Sequence, residues 1–101
     1  MTFSPIEHAP ALAQSVQASS DTLTVDLADG RSISVPLDWY PRLAHATENE
    51  RNHWQLIGRG EGVHWPDIDE DISVSGVLNG LRSGESRQSF ERWLQSRESG
   101  G

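Results

Sequence analysis

The sequence predicts a small α+β domain with one antiparallel sheet of four or five short strands, packed by short helices. Two observations indicate the strands and the helices. Apolar and polar residues alternate over 22–27 and again over 32–35, on either side of an Asp-Gly pair, and this pattern is typical of a β-hairpin. A capping-box pattern begins at Thr47 and indicates a helix. With 101 residues, the chain can build one modest hydrophobic core.

The first strands are predicted between residues 13 and 35. A weak strand is expected over 13–18, and two clearer strands flank the Asp-Gly turn at 29–30. The inward residues of these two strands are all branched aliphatics, namely Leu23, Val25, Leu27, Ile33 and Val35. Each contributes roughly 1.5–3 kcal/mol if it is fully buried. A sheet of so few strands is only marginally stable by itself, so its apolar face needs a cover.

Two short helices are predicted to supply this cover. The first is expected over 38–46, where Pro41 suits the first turn of a helix because its missing N–H has no partner there. The second is expected from Thr47 to about Trp54. The Thr47 hydroxyl should accept a hydrogen bond from the backbone N–H of Glu50, and the Glu50 side chain should accept one in return.

A second hairpin and a third helix are predicted further along the chain. Short strands are expected over 55–58 and 63–65, joined by a glycine-rich turn. A helix is expected over 72–79, with either Asp71 or Ser73 as its N-cap. The acidic residues just before it suit the positive end of a helix.

The chain divides into three parts by composition. Residues 1–12 contain two prolines and no sustained periodicity, so we expect a flexible leader. Residues 13–81 form the predicted α+β domain. Residues 82–101 are interpreted as a linker followed by a short amphipathic helix, whose apolar stripe has the spacing i, i+3, i+4. Its members are Phe90, Trp93 and Leu94.

Composition and charge exclude several classes of function. The chain has no cysteine, and all eight of its basic residues are arginine, so thiolate chemistry and lysine-dependent chemistry are absent from its inventory. The net charge of −7 works against binding of nucleic acid by this chain alone and favours a protein partner with a basic surface. No apolar run is long enough to cross a membrane and no signal sequence is evident, so we expect no membrane insertion and a cytoplasmic location.

Four stretches of the sequence carry a resemblance to a known bacterial family. They are LDWYPRL at 37–43, AT at 46–47, WQLIG at 54–58 and HWPDIDEDIS at 64–73. Over about residues 13–81 the chain closely resembles the domain of unknown function numbered twenty-four forty-two. The resemblance implies a small α+β domain, often encoded beside another short protein in an arrangement resembling a toxin–antitoxin pair. It implies no biochemical activity, and we expect no helix-turn-helix of the kind that some members carry after Gly84.

Two parts of the chain are candidates for contact with a partner. One is the acidic edge formed by Asp67, Asp69 and Glu70. The other is the apolar stripe of the C-terminal helix, with Phe90, Trp93 and Leu94. A structural interpretation of the acids stays open beside this one: Asp67 and Asp69 would cap turns, Asp71 would cap the helix, and Glu70 would be solvated or paired with an arginine.

A metal-dependent enzyme that uses His64 and the Asp67–Asp71 acids is a weaker alternative. The spacing of these acids does not match a calcium loop, and consecutive acids with a single histidine lack the dispersed ligands of a catalytic metal site. No nucleophile elbow, metalloprotease helix or phosphate loop is present. We therefore predict no enzymatic activity, no metal and no cofactor.

The hypothesis that these features favour is an acidic protein–protein interaction module, in an antitoxin-like role. It rests on the negative charge, the missing catalytic motifs and the gene pairing that the resemblance implies. The other hypothesis left open is an accessory or assembly subunit, in which the same surfaces dock permanently in a larger complex.

Overall fold

The described part of the chain contains two separate antiparallel sheets rather than one. The computed structural model describes residues 11–100, with side chains described over 11–98, so most of the predicted leader lies outside the described residues. Within 11–100, each sheet has three strands in sequence order. The strands are β1 (Ala13–Ala18), β2 (Thr22–Leu27), β3 (Ser32–Pro36), β4 (Gln55–Ile57), β5 (Gly62–Trp65) and β6 (Glu70–Ser73).

The α+β prediction is confirmed, and four short α-helices accompany the strands in residues 11–100. They are α1 (Pro41–Ala44), α2 (Glu48–Asn52), α3 (Val74–Leu78) and α4 (Arg87–Gly100). The strand count differs from the predicted four or five because residues 70–73 form a strand. The sequence pattern predicts the start of a helix at residue 72 instead.

The first sheet follows its sequence pattern closely. In the β2–β3 pairing Leu23 lies opposite Val35 and Val25 lies opposite Ile33, which places the predicted apolar residues on one face. Leu23, Val25 and Leu27 are at most 2% exposed. This face therefore forms the centre of the core, as the alternation of the sequence predicts.

The predicted helix over 38–46 is interrupted. A 3-10 helix covers Leu37–Trp39, and α1 begins only at Pro41. Between them Tyr40 has φ −128° and ψ 87°, outside the helical region. The residue before a proline is excluded from helical geometry by the proline ring, so Pro41 starts one helix and also ends the element before it.

The capping box at Thr47 is present as predicted. The Thr47 hydroxyl accepts from the Glu50 N–H at 3.1 Å, and the Glu50 carboxylate accepts from the Thr47 N–H at 2.9 Å. Helix α2 ends at Asn52, and its Arg51 carbonyl accepts a 3.0 Å hydrogen bond from the indole N–H of Trp65. Trp65 is fully buried, and this bond ties the second sheet to the helices.

The two sheets meet where the β4–β5 turn lies against β1. The backbone N–H of Ala13 donates to the Gly60 carbonyl at 2.8 Å. A Cβ atom at Gly60 would lie 2.4 Å from the Ala13 carbonyl oxygen, and Gly60 has a φ of +110°. Only glycine meets both requirements without strain, so this close approach depends on the glycine-rich turn.

Candidate functional site

A cavity of about 510 Å³ lies beside strand β6 and helix α3, under the segment that leads into α4. One wall consists of the acids Asp69, Glu70 and Asp71. The opposite wall comes from the connection 81–85 and from Ser89 of α4. Its size falls within the range of pockets that bind small ligands or single side chains.

Glu70 is placed in this cavity by the alternation of β6. Glu70 and Ile72 face inward and are 9% and 5% exposed, whereas Asp71 and Ser73 face outward. Trp65 pairs with Glu70 across the sheet, so the strand register is held by a fully buried residue. A carboxylic acid therefore occupies an inward strand position, where an apolar residue is usual.

The Glu70 carboxyl has no hydrogen-bond partner among the described residues. No fully buried side-chain oxygen or nitrogen in the described part of the chain lacks a partner, so the Glu70 oxygens keep some accessible surface. Since Glu70 lines the cavity, this access is through the cavity. A buried carboxyl without a partner is costly when ionised, which makes this side chain the most unusual feature of the site.

The environment of Glu70 favours its protonated form. Burial is the main cause of the raised pKa of Glu70, and the negative charge of Glu85 is the next. Arg42 opposes them, and Asp71 and Asp69 add to the repulsion. Together these raise the pKa of Glu70 from 4.5 to about 7. The carboxyl therefore changes its charge near neutral pH.

Arg42 does not neutralise Glu70 because its donors are occupied elsewhere. Its Nε and Nη2 atoms bond the Glu85 carboxylate at 3.0 and 2.6 Å. Its Nη1 atom donates to the Ile68 carbonyl at 2.9 Å. Glu85 also accepts from the Ser89 hydroxyl at 2.8 Å. This forked ion pair is partly buried, since the side chains are 15% and 11% exposed, and it anchors the start of α4 to α1.

The predicted linker is tied to the domain along its length. The Tyr40 hydroxyl donates to the Leu81 carbonyl at 3.0 Å, and the Ser83 N–H donates to the Trp39 carbonyl at 3.0 Å. The Arg82 guanidinium lies over the Trp39 ring, 4.8 Å from its centroid. These contacts hold the connection 81–85 in place as the outer wall of the cavity.

The family model of proteins of unknown function called DUF2442 matches residues 13–83. The chain belongs to the DUF2442 family. Within the match lie β1 to β6, α1 to α3, and the site residues Tyr40, Arg42 and Glu70. Glu85 and helix α4 lie beyond it.

Two solved structures share the DUF2442 fold seen here. A crystal structure of a protein of unknown function from Rhodospirillum rubrum is 25% identical, with a TM-score of 0.65, over 76% of this chain and 95% of that one. A solution structure of an uncharacterized protein from Chromobacterium violaceum is 26% identical, with a TM-score of 0.63, over 80% of this chain and 75% of that one. No curated protein matches the chain significantly.

The acids predicted as one edge in this DUF2442 chain are distributed over different surroundings. Asp67 is half-exposed and its carboxylate lies 2.8 Å from His53 Nδ1. Asp71 pairs with Nδ1 of His64 on the neighbouring strand. Asp69 is exposed at a turn with φ +54°, and Glu70 is buried. In the described part of the chain, no three His, Asp or Glu side chains lie close enough to hold a metal ion.

The structural interpretation of these acids is wrong for the helix cap, because Ser73, the other predicted N-cap, caps α3 in place of Asp71. The Ser73 hydroxyl accepts from the Gly76 N–H at 3.2 Å, and α3 begins at Val74 rather than at residue 72. Glu70 is largely buried, with a small accessible surface in the cavity, and it is not paired with an arginine. The prediction covered only a solvated or a paired side chain, because a buried, unpaired glutamate is rare.

The apolar stripe of α4 faces the body of the DUF2442 domain. Phe90, Trp93 and Leu94 are each half-buried, and the Phe90 ring lies edge-on to His45 at 5.1 Å between centroids. Trp93 has Arg42 on its ring at 5.3 Å and Arg97 at 4.6 Å. These contacts cover part of the apolar area that was predicted to contact a partner.

A second forked ion pair holds the far end of α4. The Arg97 Nη1 and Nη2 atoms bond the Glu50 carboxylate at 3.0 and 2.8 Å. This pair and the Arg42–Glu85 pair lie on either side of Trp93 along the helix.

Among the described helices, none combines the length and the apolar character that crossing a bilayer requires.

Three residues that shape the cavity were not predicted from the sequence as site residues: Tyr40, Arg42 and Glu85. Arg42 and Glu85 are separated by 43 positions, so no local spacing indicates their pairing. One signal for the inward position of Glu70 is present in the sequence. Glu70 and Ile72 alternate with Asp71 and Ser73 after the Trp-Pro-Asp turn, as strand residues do.

Proposed function

We propose that this DUF2442 chain is a protein-interaction domain, without catalysis of its own, that binds a partner with a basic surface. The observation that carries the proposal is the distribution of charge around the cavity. The segment 60–81 contains Glu61, Asp67, Asp69, Glu70 and Asp71 and neither lysine nor arginine. Asp69 and Asp71 are exposed and also line the cavity, so the opening of the cavity is acidic.

The basic residues nearest to this opening offer little compensation. Arg42 is held by Glu85, and Arg82 is held over Trp39. An approaching basic surface therefore meets uncompensated carboxylates, which accelerates association and favours correct orientation. An approaching nucleic acid or acidic protein meets repulsion of the same origin.

Helix α4 borders the acidic opening and supplies apolar contact area beside it. Ser89 lines the cavity, and Phe90, Trp93 and Leu94 continue the same side of the helix with part of their surface exposed. We assign the partner contact to Asp67, Asp69 and Glu70 together with the exposed part of this stripe. Aromatic side chains beside charged groups are typical of binding surfaces. An antitoxin-like neutraliser is the specific form of this role that the family resemblance implies.

The test is affinity capture from the native cell with tagged full-length protein and two double variants. The D69N/D71N variant removes two charges at the cavity opening, and asparagine tolerates the positive φ of residue 69. The E91Q/E98Q variant removes the same charge from exposed positions of α4. We expect one basic protein to be recovered by the wild type and by E91Q/E98Q but not by D69N/D71N.

The salt dependence of the same capture distinguishes the forms of the proposal. A partner released in high salt indicates reversible electrostatic binding, as an antitoxin-like role requires. A partner retained at constant stoichiometry in high salt indicates an accessory subunit instead. If both double variants recover the same proteins as the wild type, the acidic opening is not a binding surface and the proposal is wrong.

A further inference from the structure

The cavity holds one largely buried carboxyl that has no hydrogen-bond partner among the described residues. Glu70 is 9% exposed and lines the cavity, and its oxygens keep some accessible surface, because no fully buried side-chain oxygen in the described part of the chain lacks a partner. The buried donors and acceptors around it are already used, such as the Tyr40 hydroxyl, which donates to Leu81. An unpaired group in this position indicates that a partner is supplied from outside.

The charges that face Glu70 define the chemistry of that partner. Asp69 and Asp71 flank it on its own strand and turn, and Glu85 faces it from the connection to α4. Arg42 of α1 and Arg82 are the basic groups in the lining, and both are held by other side chains. An anion would meet the charges of Asp69 and Asp71 and, when it is ionised, that of Glu70, whereas a cation would be attracted by these groups.

The uncharged walls restrict the cation further. Tyr40, Val77 and Leu81 line the cavity together with the acids and provide apolar surface in it. No three His, Asp or Glu side chains in the described part of the chain lie close enough together to hold a metal ion, which favours an organic cation over a bare metal ion. A cationic group at the end of an alkyl chain suits both parts of the cavity, since the chain packs on the apolar wall and the charge reaches the carboxyl.

We infer that this cavity receives the ammonium or guanidinium group of a lysine or arginine side chain from the partner protein, with Glu70 as its direct acceptor. The inference rests on the proposed binding of a basic protein and names the group that is recognised. The cavity is large enough for one such side chain. A charged hydrogen bond to Glu70 would then replace an unpaired carboxyl.

The test follows the titration of Glu70 in the full-length protein by carbon NMR of its labelled carboxyl. The probe is a blocked pentapeptide with one central lysine. Its control has norleucine at that position, which keeps the alkyl chain without the charge. We expect the lysine peptide to lower the pKa of Glu70 toward its ordinary value, because a bound cation stabilises the carboxylate. The norleucine peptide should leave it unchanged.

The pH dependence of peptide affinity provides a second readout. With a pKa of about 7, the ionised fraction of Glu70 rises from about 0.09 at pH 6 to about 0.91 at pH 8, so the lysine peptide should bind about tenfold more tightly at pH 8. The E70Q variant should lose this increase. The E91Q variant, the same substitution at an exposed position, should retain it.

The outcomes separate this inference from the proposed function. If the lysine peptide binds wild type and E70Q equally and leaves the titration of Glu70 unchanged, the cavity is not the recognition site. The capture experiment with D69N/D71N then still decides whether the acidic surface binds a protein. If free butylammonium binds as tightly as the lysine peptide, the ligand is a small amine and the assignment to a protein side chain is overturned.

Discussion

Replacing Glu70 with glutamine should stabilise the protein, by an amount that depends on pH. The folded state raises the pKa of Glu70 from 4.5 to about 7, so the folded protein holds this proton more tightly than the unfolded chain does. Below pH 4.5 both states are protonated and ionisation costs nothing. As pH rises through 7, the unfolded chain gains the charge more easily and the folded state loses stability.

The size of the effect follows from the same two values. At about 1.4 kcal/mol for each pH unit between the two pKa values, the wild-type protein loses on the order of 3 kcal/mol of folding stability by pH 8. Glutamine has nearly the same shape and does not ionise, so E70Q avoids this loss. The pKa values of Glu50 and Glu85 are lowered mainly by their hydrogen bonds to Arg97 and Arg42. Ionisation of these two residues therefore stabilises the folded state, in contrast to ionisation of Glu70. Their contributions are common to both proteins and cancel in the difference.

The assay is urea unfolding followed by tryptophan fluorescence at pH 4, 6 and 8, for wild type, E70Q and E91Q. The stability difference between E70Q and wild type should increase from pH 4 to pH 8 by the amount given above. E91Q should show no such increase, because Glu91 is exposed. A difference that stays constant across this range would mean that Glu70 ionises normally, and the account of its buried environment would be refuted.

Three further substitutions test the structural arguments by the same unfolding assay. Arg97→Met should cost about 1–2 kcal/mol and speed hydrogen exchange in α4, because a partly buried charged hydrogen bond to α2 is lost; Arg92→Met, on the exposed side of α4, should do neither. Gly60→Ala should cost more than about 2 kcal/mol, since its Cβ would meet a backbone oxygen of β1, whereas Gly30→Ala has open space and should cost only about 1 kcal/mol for its positive φ. Thr47→Ala should cost about 1 kcal/mol through loss of the capping box, and an unchanged stability would contradict its role.

Local patterns in the sequence predicted the elements whose signals are local. The alternation through Leu23, Val25 and Leu27 gave the strand and its buried face, because a strand places alternate residues on opposite sides. The Thr47–Glu50 pattern gave the start of α2 for a similar reason, since both hydrogen bonds of a capping box lie within four residues. Each of these predictions needed no knowledge of distant parts of the chain.

The elements that were misjudged depend on contacts that are distant in sequence. Residues 70–73 form a strand because they pair with β5, and that pairing outweighs the acidic composition that indicated a helix start. The contact between the two sheets includes the close approach of Gly60 to Ala13, which no local pattern in the sequence indicates. Glu70 itself departs from the usual alternation of a strand, because an acidic residue in a strand is normally expected to face solvent. Departures of this kind are expected where a site is built into the core.

The cavity and the docking of α4 depend on the same arginine. Arg42 is close enough to lower the pKa of Glu70, yet its donors are directed to Glu85 and to two backbone carbonyls. The chain thus uses its nearest positive charge to anchor α4 and leaves the buried carboxyl unpaired. If Arg42 turned to Glu70 instead, the acceptor would be satisfied internally and the start of α4 would lose its anchor. Helix docking and an available Glu70 are therefore consequences of one ion pair, which explains why the wall of the cavity comes from the segment that leads into α4.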